Sequence, residues 1–307
     1  MQARSALLLF AVAAVIAVSG CTAISGPSGA AGGSGLVIEN FEADFPQAFA
    51  GEELQFQARV RNTGSVRADA AQGFVLGLEG WGGDCTEWPE DELGTLLAPD
   101  PVRGTAGQSD TKIWAGCQAP DVRPGLSLTS NPTLRVFYHT SSEVLKSVTF
   151  ASQDELRRVQ NLNQPLPAET LSATSSPVAM SIEVKGPIRV FAEDGSVEFP
   201  VEIKLSNVGG GVACFPEGGG IEECREGEGW NQVNLHPLSG GAGGSVEVTE
   251  CASGPVVLWR GQSNSVVCTV RVSDVSTQSG AVQKVLSASA DYIYFIDKTA
   301  SITVTGK

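Results

Sequence analysis

The chain of 307 residues contains seven cysteines, an odd number that cannot pair completely within one molecule. They are Cys21, Cys85, Cys117, Cys214, Cys224, Cys251 and Cys268. In a secreted, strand-rich protein, six cysteines predict three disulfides. A zinc site would need cysteines spaced two to four residues apart, and here the closest two are ten positions apart. We therefore predict disulfides, and the seventh thiol needs another explanation.

Side chains that often act in catalysis form none of the common catalytic motifs. The sequence lacks G-x-S-x-G, H-E-x-x-H, G-x-x-x-x-G-K and an EF-hand loop. Its two histidines lie in strand-like runs, His139 within LRVFYHT and His236 before Pro237, so we expect ordinary sheet residues rather than general bases. The sequence therefore predicts no catalytic residues, no cofactor and no metal.

Two acidic insertions bring several carboxylates close together in the sequence. The first contains Asp84, Glu87, Glu90, Asp91 and Glu92, and the second contains Glu222, Glu223, Glu226 and Glu228. Converging carboxylates could bind calcium, and a suitable pair could hydrolyse a glycosidic bond. The simpler expectation, which we adopt, is two solvated acidic loops.

Five tryptophans offer surfaces on which a ligand ring could stack. Trp114 and Trp259 lie in strand-like runs near cysteines, which predicts packing in the core against a disulfide. Trp81, Trp88 and Trp230 flank the acidic insertions. These three are the better candidates for exposed ligand contact.

The strands expected to position these residues show the same sequence pattern in two parts of the chain. In ELQFQARVRNTG (53–64), apolar and polar residues alternate with the period of a half-buried strand, and a turn follows. VEFPVEIKLSNVGG (197–210) has the same design, and SVTF (147–150) matches SITV (301–304). Features matched in one order predict an internal duplication. About seven short strands per copy favour an all-β fold of two tandem immunoglobulin-like β-sandwiches.

The duplication also predicts how six of the cysteines pair. GQSD at 107–110 and GQSN at 261–264 are equivalent, and each is followed by a cysteine and preceded by another. The two cysteines left over then close a glycine-rich loop. The predicted disulfides are Cys85–Cys117, Cys251–Cys268 and Cys214–Cys224.

The NTG turn and the next apolar strand, GFVLGL (73–78), resemble the CARDB-type immunoglobulin-like domains of bacterial and archaeal surface proteins. The resemblance covers the strand–turn–strand centre of each copy. It implies an adhesive or spacer module at the cell surface, with no catalytic residues to carry over. The cysteines and the acidic insertions depart from the family pattern.

The N-terminus predicts export and a lipid anchor. Arg4 is followed by an unbroken apolar run, residues 6–18, which at about 1.5 Å per residue is too short to span a membrane. Such a run is typical of a signal peptide, here residues 1–20. It ends in VSGC (18–21), which resembles the lipobox of prokaryotic lipoproteins and implies cleavage before Cys21 and lipidation of its thiol. The odd cysteine is thereby assigned to membrane attachment.

The rest of the chain divides into four segments. Residues 21–35 are small and polar, which predicts a flexible tether. The two sandwiches are expected at 36–150 and 178–307. Between them, residues 151–177 contain a capping box that predicts a short helix near 153–160, followed by a proline-containing linker.

These features favour a non-catalytic surface protein with a structural or adhesive role. The formal charge of −14 argues against nucleic acid as a partner. We expect an extracytoplasmic protein, attached to the membrane through a lipid on Cys21, that contacts a protein or polysaccharide of the envelope or of a neighbouring cell. Two other classes remain open. One is an accessory protein that binds carbohydrate or an envelope polymer, and the other is a pilin-like filament subunit that keeps its N-terminal helix.

Overall fold

The computed structural model of this protein describes residues 35–85, 90–191, 195–240, 246–251, 254–273, 275 and 280–307. Strands make up most of these residues, which confirms the predicted all-β fold. The signal peptide, Cys21, nearly all of the tether and Trp88 lie outside the described residues. Neither helix of the described part has the length and apolar character that a membrane crossing requires.

The described elements follow the predicted duplication. The first copy contains β1 (Leu36–Ala43), β2 (Gln47–Phe49), β3 (Glu53–Asn62), β4 (Ala68–Leu76), β5 (Gly82–Gly83), β6 (Glu90–Leu96), β7 (Ser109–Gln118), β8 (Ser127–Ser130) and β9 (Thr133–Ser152). The connecting segment contains α1 (Gln153–Asn161) and β10 (Leu171–Ala173). The second copy contains β11 (Val178–Glu183), β12 (Ile188–Val190), β13 (Val197–Asn207), β14 (Val212–Cys214), α2 (Ile221–Glu226), β15 (Gln232–Gly240), β16 (Val246–Glu250), β17 (Gly254–Val257), β18 (Ser263–Val272), β19 (Val282–Thr299) and β20 (Ile302–Thr305).

Two signals in the sequence produce the local structure they predict. In β3, the apolar residues Leu54, Phe56 and Val60 are buried, because side chains on a strand alternate between its two faces. The capping box begins α1, where the Ser152 hydroxyl accepts a hydrogen bond from the backbone N–H of Glu155 at 3.2 Å. A short helix therefore follows directly on β9.

Each copy forms a four-stranded sheet of its own. The layer opposite these two sheets is a single larger sheet to which both copies contribute strands. The separate sheets have the orders β1-β3-β7-β5 and β11-β13-β18-β16. The shared sheet has nine strands, with β17-β15-β19-β9-β4-β6 along its main path. At its centre, β9 and β19 pair antiparallel over 18 register positions, from Thr133 opposite Thr299 to Phe150 opposite Val282.

The last strand of each copy completes the sandwich of the other copy. The beginning of β9 pairs with β4 of its own copy, but its end pairs in parallel with β12 of the second copy. In return, β20 pairs in parallel with β2 and antiparallel with β8, both in the first copy. The final strands are thus exchanged reciprocally within one chain.

Equivalent hydrogen bonds in the two copies agree with the internal duplication. The asparagine that ends β3 or β13 donates its backbone N–H to the glutamine carbonyl of the GQS motif, and the first residue of β1 or β11 donates its N–H to a buried tyrosine hydroxyl. The corresponding pairs are Asn62–Gln108 with Asn207–Gln262, and Leu36–Tyr138 with Val178–Tyr292. Tyr138 and Tyr292 are therefore equivalent positions.

The boundaries at 36–150 and 178–307 stay a prediction, and the structure adds that the two sandwiches exchange their closing strands. In an independent sandwich the last two strands would form a hairpin. Here the 20 residues of β9 stay extended and run straight from one sandwich into the other. Apolar–polar alternation is the same in a hairpin arm and in a continuous strand, so the sequence pattern does not distinguish the two arrangements.

The exchange predicts that a residue of the first copy stabilises the second. The ring of Phe150, near the end of β9, is fully buried and lies 5.7 Å from the ring of Phe199 in β13. We expect Phe150→Ala to lower the free energy of unfolding by about 3–5 kcal/mol, because it leaves a cavity in that core. Phe191→Ala, at a side chain that is 74% exposed, is the matched control and should change it little. Urea denaturation measures both, and a loss below about 1 kcal/mol for Phe150→Ala would contradict the exchange.

Candidate functional site

A second hydrophobic cluster lies on the face of the shared sheet that points away from the sandwich cores. Its buried residues are Phe74, Phe137, Cys214, Ile221, Cys224, Ile293 and Phe295. The helix α2 covers them and is held by the disulfide Cys214–Cys224, whose Cα atoms are 6.1 Å apart. The second acidic insertion is therefore not simply a solvated loop, because it buries Ile221 and Cys224 while Glu222, Glu226 and Glu228 remain exposed.

Beside this cluster, the same face opens into a cavity of about 340 Å³, which we call the junction pocket. Its polar lining comes from Arg67, Asp69, His139, Ser141 and Asp291, and Phe215 forms an apolar wall. His139 and Ile293 are register partners in β9 and β19. Since Tyr138 is equivalent to Tyr292, the next residues, His139 and Ile293, are also equivalent positions of the repeat. The junction pocket therefore lies on the approximate two-fold axis that relates the copies.

The carboxylates of the junction pocket are held by neighbouring donors. Arg67 Nε lies 2.7 Å from Asp69 Oδ2, and His236 Nε2 lies 2.5 Å from Asp291 Oδ2. Burial lowers the pKa of His139, and the nearby charge of Asp69 acts in the opposite direction. His139 is then uncharged near pH 7, where it can both donate and accept a hydrogen bond. The lining carries two carboxylates and one guanidinium, a net negative charge.

Both histidines are sheet residues, as the sequence predicts: His139 lies in β9 and His236 in β15. Sequence reasoning missed that His236 contacts Asp291, which lines the same pocket as His139. Alternation in β9 does place His139 on the same face as Ser141. The approach of Asp291 and His236, however, depends on the pairing of β19 with both β9 and β15, which joins distant parts of the chain.

Two of the tryptophan predictions are wrong. Trp81, predicted to contact a ligand, is only 5% exposed; its ring packs 5.5 Å from Phe56 and its Nε1 donates to Ser130 Oγ at 3.1 Å. Trp259, predicted to pack in the core, is 71% exposed because it lies beyond the end of the edge strand β17. Trp114 is buried as predicted, with its ring edge-on to Phe41.

Of the described candidates, Trp230 stays partly exposed, with 37% of the residue accessible, while its ring packs 5.2 Å from that of Phe295. Its Nε1 donates to the carbonyl of Cys224 at 2.6 Å, which fixes the indole against the loop that the disulfide closes. The guanidinium of Arg135 lies 5.7 Å from the indole and forms two hydrogen bonds with Asp297, at 2.8 and 2.7 Å. Trp230 thus borders the covered cluster on the same sheet face.

The described cysteines pair as the duplication predicts. Cys85 bonds to Cys117 and Cys251 to Cys268, with Cα–Cα distances of 4.9 and 4.3 Å, in addition to the pair under α2. Three disulfides indicate an oxidising, extracytoplasmic environment. Among the described residues, no group of three or more His, Cys, Asp or Glu side chains is placed to bind a metal ion.

Comparison with protein-family models and with curated proteins finds no match for this chain. Its function must therefore be inferred from its own geometry. That inference depends here on the exchanged strands, the three disulfides and the junction pocket.

The three tyrosines of the chain form a cluster on the core side of β9 and β19. Tyr292 accepts a hydrogen bond from the Val178 N–H, and Tyr294 donates to Asn207 Oδ1 at 2.7 Å. Burial is the largest effect on each hydroxyl. It raises the pKa of Tyr138 and Tyr292, and raises the pKa of Tyr294 to about 12.

These shifts predict a late tyrosine titration in the folded protein. Absorbance at 295 nm should show no tyrosinate midpoint near pH 10 while the fold persists, whereas the protein in guanidinium should titrate near pH 10. Because the folded pKa values lie above the unfolded ones, this contribution to stability is complete below pH 10 and is lost as the pH rises towards 12. A midpoint near 10 with native circular dichroism would contradict the buried cluster.

Proposed function

We propose that this protein is an extracytoplasmic surface protein, anchored by a lipid on Cys21, that acts as a non-catalytic binding and spacer module. The observation that supports this most is the reciprocal strand exchange. It joins two sandwiches through a continuous sheet without a hinge between their closing strands. Three disulfides inside the copies add covalent bracing that suits an exposed position outside the cytoplasm.

The anchoring part of the proposal is supported by the N-terminal sequence. The apolar run at 6–18, the VSGC motif at 18–21 and the small polar residues up to Gly35 have the order that a lipid anchor and tether require. With the other six cysteines in disulfides, Cys21 is the one thiol of the chain that the folded region does not use. One acyl chain binds a membrane only marginally, so we propose more than one chain at this cysteine.

The binding part is supported by the shared sheet face. Phe215 of the loop closed by Cys214–Cys224 lines the junction pocket together with polar groups of the sheet, and the partly exposed Trp230 pairs with Cys214 at the base of the same loop. Two of the pocket's carboxylates have a partner beside the site, Asp69 with Arg67 and Asp291 with His236. Such a surface suits recognition of a component of the envelope or of a neighbouring cell.

A pilin-like role is less well supported. Filaments that assemble by strand donation need an open position in the sandwich of each subunit. Here β20 lies beside β2 in the first copy, and the end of β9 lies beside β12 in the second. Both positions are filled from within the same chain.

The anchor is tested at Cys21. In the native host, we expect the mature protein to begin with a lipid-modified Cys21, and Cys21→Ser to move most of the protein from the membrane fraction to the soluble one. Ser25→Ala, four residues further along the tether, is the matched control and should remain with the membranes. Mass spectrometry of the N-terminus and fractionation are the measurements. An intact Met1 in the mature protein would contradict the proposal and favour the pilin-like alternative.

A further inference from the structure

We propose that the junction pocket binds one neutral hexose unit of a glycan. The inference depends on the proposed role as a binding module and names the ligand class. It concerns a site where residues of both copies meet. Asp69, His139 and Ser141 come from the first copy, and Phe215 and Asp291 come from the second.

The size of the cavity suits a small polar ligand. Its volume of about 340 Å³ is near the lower end of the range for small-molecule sites, about 300–1,000 Å³. A single sugar ring with part of its neighbour would fill it. The pocket opens on the outer sheet face, so the remainder of a glycan chain could continue into solvent.

The lining offers the mixture of groups that sugar hydroxyls require. Each hydroxyl donates one hydrogen bond and accepts others, so a site needs both kinds of partner. The carboxylates of Asp69 and Asp291 accept, whereas Arg67 donates. The uncharged imidazole of His139 and the hydroxyl of Ser141 can do both. The ring of Phe215 provides an apolar wall for the C–H face of the sugar.

The charges of the pocket favour a neutral sugar. Two carboxylates against one guanidinium, in a protein of net charge −14, disfavour uronic acids and sugar phosphates. Each carboxylate already has a donor within 2.7 Å, from Arg67 or His236. Both carboxylates are also partly solvent-exposed, so neither needs a cationic amino sugar as a counter-ion.

The backbone around the pocket is well fixed. His139 and Ser141 lie within the 18-position ladder of β9 with β19, and the disulfide Cys214–Cys224 holds the loop that carries Phe215. Sites on such elements lose little freedom when a ligand binds. The affinity should therefore depend on the pocket side chains rather than on ordering of the loop.

The inference is tested by glycan binding of the purified full-length mature protein. The probes are neutral glucan, mannan and galactan oligosaccharides, with polyglucuronate and chitosan oligomers for comparison. We expect the folded protein to bind at least one neutral probe, and Asp291→Asn and Phe215→Ala each to weaken that binding at least ten-fold. Asp297→Asn is the matched control, because Asp297 lies on the same face of β19 and is paired with Arg135 outside the pocket. The affinity of Asp297→Asn for the neutral probe should stay within two-fold of that of the unsubstituted protein.

Isothermal titration calorimetry gives the affinities, and circular dichroism shows that each variant is folded. Absence of binding to any neutral probe, preference for a charged probe, or equal losses in Asp291→Asn and Asp297→Asn would overturn the inference. Anchoring is measured separately at Cys21. If the protein is lipidated but binds no glycan, only the glycan inference is wrong. If it binds glycan but carries no lipid, only the proposed anchor is wrong.

Discussion

The antiparallel pairing of β9 with β19 determines how the rest of the structure is arranged. Eighteen consecutive register positions hold two long strands from different copies against each other. Because each strand is committed to this ladder, it does not turn back into a hairpin within its own copy. The end of β9 enters the second sandwich and pairs with β12. The strand that follows β19, β20, enters the first sandwich and pairs with β2. The duplication thereby becomes one interlocked body rather than two domains in series.

The candidate site is a consequence of this ladder. Antiparallel pairing of equivalent strands places equivalent residues opposite each other at one point, and that point is His139 with Ile293. Around it, β4 contributes Asp69 and β19 contributes Asp291. Phe215 arrives from the loop closed by the Cys214–Cys224 disulfide. Neither copy alone contains the complete pocket, so any recognition at this point depends on both.

The sequence predicts the parts of the fold that depend on local chemistry. Alternation identifies β3 and β13, the capping box identifies α1, and matched spacing identifies the disulfide partners. It does not predict the exchange, because an apolar face is equally well buried in either sandwich. The errors at Trp81 and Trp259 have a similar origin. Whether an aromatic residue beside a turn faces the core depends on strands that are distant in the sequence.

The last strand of the second copy closes the sandwich of the first. Hydrogen–deuterium exchange of a chain truncated after Ala300 tests it most directly, because this removes β20. The exchanged arrangement predicts faster exchange in β2 and β8, which pair with β20, and unchanged protection in β12, which pairs with β9. Faster exchange in β12, with β2 and β8 as protected as in the full chain, would contradict it.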